Sequence, residues 1–99
     1  MSAMSKAYLI ADIEVTDPDA YGRYRELSGP AVAAYGGRYL VRGGQTDVVE
    51  GDWQPHRVVV VEFDDMDAAR RWYDSPEYTE ARQVRQSAAT SSFILVEGA

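Results

Sequence analysis

His56 is the sole histidine of this chain and the one side chain whose ordinary pKa lies near neutrality, which makes it the first candidate for a general base. It follows Pro55 at the start of an apolar run, where solvent exposure is expected. Asp12 and Glu62, two carboxylates within apolar stretches, are the other candidates for moving a proton. Arg42 precedes Gly43-Gly44, a turn that leaves room beside a guanidinium. There it could grip a carboxylate or enolate with two parallel hydrogen bonds, with the Tyr8 hydroxyl as a second polar contact. Tyr24 and Trp72 are the candidates for the apolar wall of such a pocket. Each has a plainer account. The tyrosines and Trp72 suit a packed core, and Arg42 suits a salt bridge to Glu62 or Asp12. Nothing in the spacing of His56, Asp12 and Glu62 is diagnostic of a reaction.

Other chemistry is excluded. The chain has no cysteine, so disulfides, thiolate metal sites and thiol catalysis are absent. One histidine leaves only carboxylates for a metal, and no Asp/Glu spacing resembles an oxygen-ligand loop. Haem would have His56 as its lone axial candidate. No metal and no cofactor are expected. Gly36-Gly37 and Gly43-Gly44 fit neither G-x-G-x-x-G nor a P-loop; they suit a helix stop and a hairpin turn. A net charge of -6 argues against nucleic acid and anionic lipid as partners. No segment approaches the ~20 apolar residues of a membrane span. Met1 to Lys6 reads as a frayed polar lead-in without the apolar stretch of a signal peptide, with Met4 as an alternative start. A cytoplasmic location is expected, and the missing cysteines fit a reducing compartment.

The elements that must position these residues read clearly. Ninety-nine residues make one domain, residues 1–99. Val58 to Val61 are four valines in a row, flanked by Arg57 and by Glu62-Phe63. A strand with one wet face would alternate, so this one is central, with both faces covered. A first strand spans Ala7 to Val15. Thr16-Asp17-Pro18 starts a helix whose Tyr21, Tyr24, Leu27, Ala31 and Tyr35 share a face, and Gly36-Gly37 ends it. Pro30 predicts a kink near Ser28-Gly29. Arg38 to Arg42 is a second strand, followed by a hairpin at Gly43-Gly44 and a short strand from Gln45 to Glu50. Gly51 to Pro55 is a loop holding Trp53, the valine strand spans His56 to Asp64, and helices follow over Asp67–Asp74 and Pro76 to about Ser87. Ser91 to Glu97 is the last strand. The order is βαββαβ with a hairpin extension, an α+β ferredoxin-like sandwich with its helices on one face.

Alternation divides the strands into two sets. Leu9, Ala11, Ile13, Tyr39, Val41, Val59, Val61 and Phe63 form the apolar, helix-facing set. Tyr8, Ile10, Asp12, Glu14, Arg38, Leu40, Arg42, His56, Val58, Val60, Glu62 and Asp64 form the other, mixing valines with both charges. The helices cover one face only, so the other calls for a second copy: a homodimer through the sheet face. The charges on it then form either an interface salt-bridge network or a polar pocket around Arg42 and Tyr8 for a small anionic or carbonyl-bearing ligand.

Tyr35-Gly36-Gly37-Arg38-Tyr39-Leu40-Val41-Arg42-Gly43-Gly44, Ser75-Pro76-Glu77-Tyr78, Arg85, Ala88-Ala89, Asp17-Pro18 and the Arg57-to-Phe63 strand together resemble the bacterial domain of unknown function 1330. The resemblance covers about Ala7 to Glu97. It implies the dimeric α/β barrel, in which two ferredoxin-like sheets pack face to face, and it brings no established activity. Relatives in that superfamily include cofactor-independent monooxygenases, muconolactone isomerases and haem-dependent chlorite dismutases, so one fold carries several chemistries. Two functions are therefore carried forward. One is a homodimeric domain binding a small metabolite between helices and sheet. The alternative is a cofactor-independent monooxygenase or isomerase acting on an activated cyclic or phenolic substrate. RNA recognition on the same element order would need aromatics on the central strand, where this chain has valines.

Overall fold

The computed structural model describes residues 5–99; the start of the expected lead-in, residues 1–4, lies outside them. β1 (Ala7–Val15), α1 (Pro18–Ala34), β2 (Arg38–Arg42), β3 (Val58–Phe63), α2 (Met66–Asp74), α3 (Pro76–Ala88) and β4 (Ala89–Glu97) follow in order. The strands form one antiparallel sheet in the order β2-β3-β1-β4, with β1 and the valine strand at its centre. This is the ferredoxin-like sandwich.

The helices begin where capping residues stand. The Asp17 side chain accepts from the Ala20 amide, with Pro18 in the first turn. Asp65 accepts from Ala68, and Ser75 from Tyr78. Each relieves an amide that the helix itself leaves unpaired. The first helix runs unbroken through Ser28-Gly29 and Pro30. Gly36 holds the left-handed backbone after it, with φ at 76°. Beside it Gly37 is required by space: a Cβ there would stand 2.7 Å from Val32 and 2.8 Å from Phe63. Ala7, Leu9, Ala11, Ile13, Val59, Val61 and Phe63 bury against the helices, as alternation requires.

Four expectations are corrected. Gln45 to Glu50 forms no strand, and residues 43–57 cross from β2 to β3 without regular structure. Gly44, Asp47, Gly51, Asp52 and Pro55 interrupt the segment with residues that strands disfavour, and the Gly43 amide donates to the Val58 carbonyl, carrying the chain off the end of the ladder. The valine strand starts at Val58 rather than His56, because the His56 and Arg57 amides donate to the Asp12 carboxylate. The last strand starts at Ala89, directly after α3, instead of Ser91. The fourth correction decides the site. Arg38 pairs with Glu62 and Tyr39 with Val61, but Val41 pairs with Val60 and Arg42 with Val59. Leu40 is an extra residue, a β-bulge on an edge strand. Beyond it the alternation shifts by one, so Arg42 falls on the helix side and Val41 on the open face.

Candidate functional site

The bulge places Arg42 beside α1. Its guanidinium lies over the Tyr39 ring, 4.1 Å from the centroid, and 3.9 Å from where a Gly29 side chain would begin. Between α1 and the inner sheet face is a cavity of about 20 Å³. Tyr24 and Ser28 line it from the helix, Trp72 from α2, and Val59 and Val61 from the sheet floor; Arg42 stands at its rim. Arg42, Tyr24 and Trp72, singled out from the sequence, therefore meet at one place.

Two further arginines line the same cavity, Arg25 from α1 and Arg57 from the residue before β3. Sequence reading missed both. Arg57 was legible, since it precedes Val59 and Val61 at two-residue spacing and so shares their inward face. Its guanidinium packs against Gly43 and lies 5.7 Å from the Tyr21 ring, while its Nε is buried without a partner.

Behind the cavity is a buried hydrogen-bonded chain. Arg85 Nη1 donates to the Tyr78 hydroxyl at 2.7 Å, and the Tyr78 and Tyr24 hydroxyls are 2.9 Å apart. Arg85 stacks on Phe93, 4.0 Å from the ring centroid, and Phe93 also lines the cavity. Burial raises the pKa of both phenols above the ordinary tyrosine value, against the lowering effect of Arg85, so both stay protonated.

The other sequence candidates lie across the sheet. Glu62 accepts from Arg38 at 2.7 Å and from the Tyr8 hydroxyl at 3.0 Å. The Arg38 hydrogen bond, then that of Tyr8, holds the Glu62 carboxyl below its ordinary range; the bond to Glu62 raises the pKa of Tyr8. Asp12 accepts from the Trp53 indole N–H at 2.9 Å as well as from the His56 and Arg57 amides. Burial pushes its carboxyl up, and these three hydrogen bonds outweigh that and hold it low. His56 is exposed, with Nδ1 3.9 Å from Asp12 and Nε2 3.8 Å from Glu14, over a shallow open-face depression. Neither expected partner of Arg42 reaches it: Glu62 belongs to Arg38 and Asp12 to the loop. Tyr8, His56, Asp12 and Glu62 therefore do not join Arg42, because the bulge moved Arg42 off their face. Among the described residues, no group of three His, Asp or Glu side chains is arranged to hold a metal.

Solved structures share this fold. A protein of unknown function from Rhodopseudomonas palustris is 23% identical, with a TM-score of 0.74 over 96% of this chain and 83% of that one. SnoaB, a cofactor-independent oxygenase from Streptomyces nogalater, is 18% identical, with a TM-score of 0.70 over 96% of this chain and 94% of its own. A dimeric ferredoxin-like protein of unknown function from Thermobifida fusca is 15% identical, with a TM-score of 0.64 over 99% and 95% of the two chains. At these identities the likeness is one of fold. No curated protein matches the chain in sequence. A family model does match, over residues 6–99, and it spans every element described above: the chain belongs to the family of domains of unknown function DUF1330.

Proposed function

We propose that this domain is a homodimeric module that binds a small metabolite between its helices and its sheet. The observation that carries the reading is the convergence of Tyr24, Trp72 and Arg42 on one cavity. Apolar walls with a few convergent polar groups are the usual composition of a ligand site. At about 20 Å³ the cavity holds roughly one water, so a metabolite enters by displacing the rim. Arg25 and Arg42 are the exposed residues of that rim.

Assembly through the sheet is supported by the bare face and by the dimeric description of the Thermobifida fusca protein. Ile94, Ile10 and Val60 stand in register across three strands on that face. Among the described residues no helix is long and apolar enough to cross a membrane. The cysteine-free composition supports a cytoplasmic setting. The likeness to SnoaB keeps the oxygenase reading as the second one. It ranks lower because the residues lining the cavity include neither a carboxylate nor an imidazole to accept a proton.

Mass spectrometry of small molecules released from the purified protein tests the reading. The expected result is a stoichiometric small molecule that Arg42→Met loses while remaining dimeric. Arg42→Met that loses folding or assembly together with binding would assign Arg42 to the architecture instead. Oxygen consumption with a phenolic substrate would promote the second reading.

A further inference from the structure

We infer that the cavity takes a small planar carboxylate, held by Arg42 and Arg57 at the rim and by the Tyr24 hydroxyl at the end of the chain from Arg85. The inference rests on reading the cavity as the binding site and names the class of its ligand.

Charge balance is the first argument. The chain carries 16 acidic and 10 basic residues, so arginines have an abundance of partners. Yet Arg25, Arg42 and Arg57 line one cavity, Arg85 stands behind it, and no carboxylate lines it. Among the described residues none of the four is in an ion pair; the pairs formed belong to Lys6, Arg38, His56 and Arg71. Stacking on Tyr39 and Phe93 supports two of the cations but does not neutralise them. The Nε atoms of Arg57 and Arg85 are buried without acceptors. Of these two arginines Arg57 lines the cavity, and an unpaired buried donor is costly, so an anion beside Arg57 gains that donor together with the charge of Arg42 and Arg25 at the rim.

The hydrogen-bond chain is the second argument. Tyr78 accepts from Arg85 and, being protonated, has one proton to give, with Tyr24 2.9 Å away. When Tyr78 donates to Tyr24, the Tyr24 hydroxyl keeps its own proton for the cavity it lines. A donor backed by a buried cation is polarised toward an anionic acceptor. The walls supply the rest of the selection. Trp72, Tyr24, Phe93 and Val59 favour a flat apolar body behind the charged group, which a hydrated phosphate lacks.

Benzoate is the probe, with neutral benzamide as its isostere and inorganic phosphate as the anion without an apolar body. Calorimetry and amide and indole resonances are followed on the intact protein. Saturable benzoate binding that moves the Trp72 indole resonance is expected, with benzamide and phosphate each roughly tenfold weaker or worse. Arg57→Met and Tyr24→Phe should each weaken benzoate by roughly tenfold with little effect on benzamide. Should Arg57→Met fail to fold, Arg42→Met carries the same comparison from the exposed rim. Benzamide binding as well as benzoate, with no effect of these substitutions, overturns the anion assignment and leaves a neutral pocket. Phosphate binding as tightly as benzoate overturns the choice of a planar carboxylate. A cavity that responds to neither benzoate nor benzamide overturns this inference, while the pocket beneath it stands or falls separately on the small molecule released from the purified protein and lost by Arg42→Met.

Discussion

Asp12 shows what one carboxylate does when several donors converge on it. It ties the Trp53 indole and two successive amides, and so fixes the end of a long loop to the sheet. Its folded pKa lies below the ordinary 3.8, and that of Glu62 below 4.5. For depressed carboxyls the stabilisation is fully present above the unfolded values and is lost as pH falls through the folded ones. Thermal midpoints recorded from pH 6 downward should therefore hold until roughly pH 4 and then drop. Asp12→Asn should lose about 1 kcal/mol at pH 7 and show a shallower acid limb. An unchanged midpoint at pH 7 would mean that the loop is held by something else. At this scale the sequence was informative about type and less so about place. Tyr24 and Trp72 were legible because helical spacing put them on inward faces. Tyr8 and Glu62 do share the outer face, as alternation required. Arg42 was misplaced by one residue's worth of register, and no residue type near Leu40 announces the extra position.

The segment after β2 turns on glycines. Gly43 has φ at 75°, and a side chain there would meet the Arg57 guanidinium. The positive φ expected at the turn is present; the hairpin around it is not. Gly43→Val should cost roughly 1–3 kcal/mol through backbone strain, measured by urea unfolding. It should also push Arg57 aside and weaken ligand binding beyond the loss of stability. Gly44→Ala is the internal control: nothing lies within 4 Å of its Cβ position, so its effect should stay within about 0.5 kcal/mol. Equal effects at the two positions would contradict the turn geometry. The helices and central strands were legible because caps, prolines and valines mark them. The 43–57 segment was not, since the glycine pair and two valines mimic a hairpin while the loop's anchor, Asp12, lies far away in sequence.

Across the whole molecule the asymmetry is between two faces of one sheet. Helices cover the inner face, while the outer one carries Ile10, Val58 and Val60 half-covered and Leu40, Ile94 and Val96 exposed. If two copies pair through this face, Val60→Glu should convert a dimer to a monomer in sedimentation equilibrium while leaving the circular-dichroism spectrum unchanged, because it would bury an unpaired charge at the interface. A fully dimeric variant would exclude this face as the interface. The bare face also ties stability to abundance. If two copies close over it, association holds each subunit folded by mass action, and the melting temperature rises with protein concentration. A dilute sample then melts early from an exposed apolar sheet, with aggregation as its way out. A cell holding few copies of this protein would keep it on the edge of that loss, so its level of expression would itself set how much of it stays folded.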